Sequence, residues 1–116
     1  MNFATLQDAE IWQIANQLMD NLMEGSTAIN HAQHTRDFTP RLRSLVTPDY
    51  LQHVCETYQR DKGFFTSRKP MLLLRRPDSI ALIWQQQFSK VSGDYVAEMV
   101  LVQQDGRFLV DHVMVF

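Results

Sequence analysis

With 116 residues, 45% of them hydrophobic and 21% charged, the chain is long enough for one packed domain (residues 1–116) and too apolar to stay disordered. Its single cysteine excludes an internal disulfide, and its net charge of −2 offers no overall basic excess for nucleic acid. The first ten residues lack the basic and apolar regions of a signal peptide, and no stretch approaches ~20 consecutive apolar residues, so the expected setting is the cytoplasm without membrane contact.

The elements follow in order. Residues 6–24 are predicted to form an amphipathic helix, with Thr5 as N-cap, Asp8 three residues on as in a capping box, and Ile11, Ile14, Ala15, Leu18 and Leu22 at helical spacing. Gly25 is its expected stop. A weaker helix is predicted over 27–36. Two Thr-Pro pairs, Thr39-Pro40 and Thr47-Pro48, each combine a capping hydroxyl with a proline at the first helical position. They open a short helix over 41–46 and a longer one over 48–61, which is expected to bury Leu51, Val54, Cys55 and Tyr58 and to end at Gly63.

Strands follow. Met71-Leu72-Leu73-Leu74 reads as the first, and Pro77-Asp78 as a turn into a second that starts at Ile80. Asp105-Gly106 is a preferred type I′ pair, joining 95–103 to 107–116. Counting outward from that turn, Leu101 opposes Val110, Met99 opposes His112 and Ala97 opposes Met114. A four-residue loop, Lys90 to Gly93, sets Trp84 against Met99 and Leu82 against Leu101. These registers put Ile80, Leu82, Trp84, Gln86, Phe88, Tyr95, Met99, Leu101, Phe108, Val110, His112, Met114 and Phe116 on one core face. The opposite face collects Ala81, Ile83, Val96, Val100, Val102, Leu109, Val113 and Val115, with Gln85, Gln87, Glu98 and Asp111. That face is too apolar for open water, and a homodimer through Ile83, Val100, Val102, Leu109 and Val113 is the expected cover. Helices first and an antiparallel meander after them make the fold class α+β, with about four strands.

This order, and the ending from Gly93 to His112 with Asp105-Gly106 and Phe108 just after it, resembles the nuclear-transport-factor-two-like superfamily. The resemblance covers the chain in outline and residues 80–116 in pattern. It implies N-terminal helices over a strongly bent, cone-like sheet with a pocket inside, and frequent dimerisation through the outer sheet face. It also implies kinship with ketosteroid isomerase, scytalone dehydratase and polyketide cyclases, as well as with non-enzymatic binding domains. The isomerase's catalytic carboxylates and tyrosine have no counterparts here.

His112 is the candidate for proton transfer, because an imidazole inside a pocket titrates near neutral pH. A histidine simply bonded within the core is the simpler alternative. Trp84, Gln86, Met99, His112 and Met114 are the candidate ligand-binding set. His31 and His34 share helical spacing, but no third ligand joins them, so no metal is expected. Cys55 reads as a buried thiol. Charge is uneven: residues 1–34 hold four acids and no Lys or Arg, 35–76 hold nine bases and four acids, and 77–116 hold two bases and five acids. A solvated surface is the plain reading of the basic middle, and an anion site the sharper one.

The expected function is a small ligand-binding or accessory domain for an apolar or amphipathic molecule, needing no cofactor and not catalytic. One alternative is a lyase or isomerase with His112 as acid or base. The other is a protein-interaction module using the outer sheet face.

Overall fold

In the computed structural model, which describes residues 3–116, a single-turn 3-10 helix at Phe3–Thr5 leads into four α-helices. These are α1 Asp8–Thr27, α2 His31–His34, α3 Pro40–Leu45 and α4 Pro48–Asp61. Four strands follow: β1 Phe65–Arg75, β2 Ile80–Phe88, β3 Tyr95–Gln104 and β4 Arg107–Val115. The sheet is an antiparallel meander in the order β1-β2-β3-β4, so β1 and β4 are its edges. The fold is α+β, as the order of elements predicts.

Local chemistry explains most boundaries. Thr39 and Thr47 cap α3 and α4, each side-chain oxygen accepting from a backbone N–H three residues on, at 3.2 and 3.1 Å. The start of α1 differs from expectation. The cap is Gln7, whose N–H donates to Glu10 Oε1 at 3.0 Å, and Thr5 ends the 3-10 turn instead. Nor does Gly25 stop α1, which runs on to Thr27 and turns at Ile29, a residue with φ of 51°. Gly25 serves a close approach: a Cβ there would lie 2.6 Å from the His34 backbone nitrogen. The second helix consequently shrinks to four residues, capped by the Asn30 side chain.

β1 is longer than the apolar run Met71–Leu74. It begins at Phe65 and carries irregularities between Phe65 and Arg68 and between Pro70 and Leu72. Its edge position tolerates Pro70, which has no N–H for the ladder.

Registers divide into three cases. Asp105 and Gly106 both have positive φ, and Gln104 opposes Arg107, Gln103 opposes Phe108 and Leu101 opposes Val110 as predicted. In the β2–β3 pair Trp84 opposes Ala97 and Leu82 opposes Met99, two residues from expectation. A two-residue slip leaves every side chain on its face. In the outer half of β4 the slip is one residue. A bulge at Asp111 puts His112 opposite Val100, Val113 opposite Met99 and Met114 opposite Glu98. His112 and Met114 therefore leave the core face, while Val113 and Val115 turn in to pack against the core. Tertiary bonds hold the bulge: Thr39 Oγ1 donates to Asp111 Oδ1 at 2.8 Å, and Arg41 donates to both the carboxylate and the carbonyl of Asp111. Burial alone would raise the Asp111 carboxyl, but the hydrogen bonds and charge of Arg41, with Thr39, hold it below the usual aspartate range.

The core lies between α1 and the inner sheet face, where Ile11, Ala15, Met19 and Leu22 meet Leu82, Trp84, Met99 and Val110. The basic middle is largely answered from within. Arg68 pairs with Asp20, Arg75 with Asp8 and Arg41 with Asp111, while Asp37 in the same segment takes Arg107. Surface pairs of this kind are worth little each, ~0–1 kcal/mol, but they match acidic α1 to the basic strand beside it. Among the described residues, no helix is long and apolar enough to cross a membrane.

Candidate functional site

The edge position of β4 creates a concave feature. Between α4 and residues 112–116 lies an open cavity of about 550 Å³. Tyr50, Leu51, Val54, Cys55 and Tyr58 line it at near-helical spacing, so a single face of α4 makes one wall. His112 to Phe116 make the opposite wall, Leu22, Met23, Ser26 and His34 the base, and Phe65 and Phe88 one end. Val54, expected to be buried, is 38% exposed because its side of α4 looks into this gap. Leu45, Tyr50, Met114 and Phe116 leave large apolar surface exposed around the opening.

One corner is polar. Ser26 Oγ lies 2.7 Å from Tyr58 Oη and 3.2 Å from Cys55 Sγ. Burial pushes both the thiol and the phenol upward, outweighing their hydrogen bonds to Ser26, so both stay protonated near neutral pH. A protonated, buried thiol is a poor nucleophile. The corner thus offers hydroxyl and thiol hydrogen bonding rather than covalent chemistry. Ser26 was missed at the level of sequence. Its signal is one helical turn of spacing beyond Leu22, a polar residue continuing an apolar stripe.

At the base, His34 donates from Nδ1 to the Leu22 carbonyl at 2.7 Å and packs edge-on against Phe38. Burial lowers its pKa below the ordinary 6.5, with the Leu22 bond opposing and nearby His31 adding to the depression. The unfolded chain therefore binds more protons than the folded one as pH falls below about 6.5, and stability declines through that window until the folded state also protonates. Urea midpoints at pH 7.5 and 5.5 should differ more for the native chain than for His34→Gln. Equal differences would remove His34 as the cause.

The residues singled out from sequence are now separated. Trp84, Gln86 and Met99 are completely buried in the core and do not line the cavity. Gln86 donates to the carbonyls of Ser67 and Gln87, and its Oε1 has no protein partner. His112 and Met114 reach the cavity only along the strand edge. The expectation that His112 shares a core row with Met99 and Trp84 fails at the Asp111 bulge. On the outer face, His112 Nε2 instead meets Glu98 Oε1 at 2.8 Å. In the expected interface set, Ile83, Val100, Val102 and Leu109 keep their outer-face register, whereas Val113 turns inward for the same reason. His31 and His34 each bond a different carbonyl, Val46 and Leu22. Among the described residues, no group of three or more His, Cys, Asp or Glu could hold a metal.

No protein-family model matches the chain, and no curated protein does. Among solved structures it is similar to the solution structure of a SEC-C motif containing protein from Rhodopseudomonas palustris, with a TM-score of 0.60 and 12% identity over 84% of this chain and 74% of that one. This likeness is one of fold alone. It overturns the resemblance to the nuclear-transport-factor-two-like superfamily, because the matched structure is a SEC-C motif protein. Trp84, Gln86 and Met99, three of the expected ligand-binding residues, are sealed in the core.

Proposed function

We propose that the chain is a small binding domain whose site is the groove between α4 and the outer half of β4, and that it takes an apolar or amphipathic ligand there. The observation that carries this reading is the cavity of about 550 Å³ with an apolar lining and one hydrogen-bonding corner, a size and character common in ligand sites. Acid–base catalysis by His112 has less support, since its imidazole is bonded to Glu98 on the outer face rather than to the Ser26 corner.

The test uses N-phenyl-1-naphthylamine, a neutral apolar dye that brightens out of water. The native chain should bind it saturably at one site. Val54→Lys places an ammonium on the cavity wall at a position exposed enough to leave folding intact, and should weaken the dye by about tenfold or more. Absent binding, or binding indifferent to Val54→Lys, would overturn the assignment.

We also infer a homodimer through the outer sheet face. Leu72, Leu74, Ile83, Val100 and Val102 support it, an apolar set on a face opposite the helices. Glu98 and His112 sit among them, hydrogen-bonded to each other.

A further inference from the structure

The groove contains strand edge as well as apolar side chains. At its upstream end β4 is already extended sideways. Val110 N–H donates to the Asp37 carbonyl at 2.8 Å, and Thr39 N–H donates to the Val110 carbonyl at 2.9 Å, so Phe38 lies beside β4 as one parallel strand residue. Pro40 then carries the chain away into α3. Downstream, Val96 and Phe116 exchange both backbone bonds, at 2.6 and 2.9 Å. Antiparallel alternation then turns the N–H and C=O of Val113 and Val115 away from β3 and toward the cavity. Among the described residues, no group bonds to them.

The electrostatics are one-sided. No Asp or Glu lines the cavity, and its one lysine is Lys62 at the end of α4. The Lys62 ammonium lies over the rings of Tyr95 and Phe88, at 4.9 and 5.6 Å from their centroids, with no ion-pair partner among the described residues. Tyr95 precedes Val96, the partner of Phe116, so this cation stands at the C-terminal end of β4.

Resting on the binding role proposed above, we infer that the ligand is an extended apolar peptide ending in a free carboxylate. It adds to the edge of β4 beside Val113 and Val115, parallel as the Phe38 segment is, with its carboxylate at Lys62. Main-chain bonding to an open edge supplies affinity, and alternate side chains enter the apolar cavity. About four residues span the distance from His112 to Phe116 at ~3.3 Å each. A parallel strand ends at the Lys62 side, where a carboxylate meets the unpaired ammonium.

A phage library displaying random hexapeptides with free C-termini tests this, with the enriched sequences resynthesised and titrated by fluorescence polarisation. Enrichment of apolar sequences that displace N-phenyl-1-naphthylamine is the expected result. Amidating the C-terminus, or changing Lys62→Gln, should each weaken binding about tenfold, and the two should not compound. N-methylation of the peptide nitrogen facing Val115 or Val113 should abolish it. If the dye binds and Val54→Lys weakens it, yet no peptide is enriched or displaces it, the groove is a small-molecule site and the peptide inference falls alone. If enriched peptides bind but ignore both amidation and Lys62→Gln, the carboxylate assignment is wrong. If neither dye nor peptide binds, both readings fall.

Discussion

Trp84→Ala should lower the unfolding free energy by about 3–5 kcal/mol, the range for emptying a large buried site. Trp84 is 0% exposed at the centre of β2, edge-on to Trp12 at 5.3 Å, with the Arg68 guanidinium over its ring at 5.5 Å. Its Nε1–H donates to Asn16 Oδ1 at 2.8 Å, tying the sheet to α1. The alanine variant loses the packing of three elements together with that bond. At roughly 4 °C per kcal/mol for a chain of this size, the melting temperature should fall by about 12–20 °C. Trp84→Phe separates the contributions. It keeps most of the ring volume and loses the N–H, so a fall of about 1–2 kcal/mol is expected. An alanine variant that melts within ~2 °C of the native chain would mean that Trp84 is not in the core.

That residue also marks how much of the fold was legible in the sequence. Its face assignment came from a β2–β3 register that is wrong by two residues, and it survived because side chains alternate with a period of two. β4 had no such protection. The run from Val110 to Phe116 is apolar at both parities, so the pattern itself does not register one inserted residue. The insertion at Asp111 is held by Thr39 and Arg41, some seventy residues earlier, and no local reading can see them. His112 and Val113 exchanged faces as a result, which moved the leading catalytic candidate out of the core and an expected interface residue into it. The Thr-Pro caps and the Asp-Gly turn were readable because their chemistry is local. The α4–β4 groove was not, because it depends on how far α4 stands from an edge strand. From sequence, Val54 and Tyr58 look like ordinary core positions.

The chain should be a dimer that Leu72→Asp with Leu74→Asp converts to monomers. Its shortest dimension is 17 Å across the Cα atoms, room for one helical layer on one sheet and no third layer. The core cluster of the described residues lies on the inner face and leaves out Leu72, Leu74, Ile83, Val100 and Val102 of the outer face, where Leu109 is buried at 8% exposure. Leu72 and Leu74 are 46% and 50% exposed, so aspartate at these positions costs the isolated fold little, within about 1 kcal/mol. In a twofold contact the same carboxylates would be buried without partners, a penalty of ~3 kcal/mol or more that a modest interface does not survive. Val100→Arg is a weaker probe, because Glu98 lies two residues away on the same face and offers the new cation a partner. Light scattering across a size-exclusion peak should give twice 13.6 kDa for the native chain and 13.6 kDa for the double variant, with similar melting temperatures at low concentration. A native mass of 13.6 kDa at high concentration would end the dimer. A double variant that remains dimeric would place the contact elsewhere, with the edge of β4 the next surface to examine.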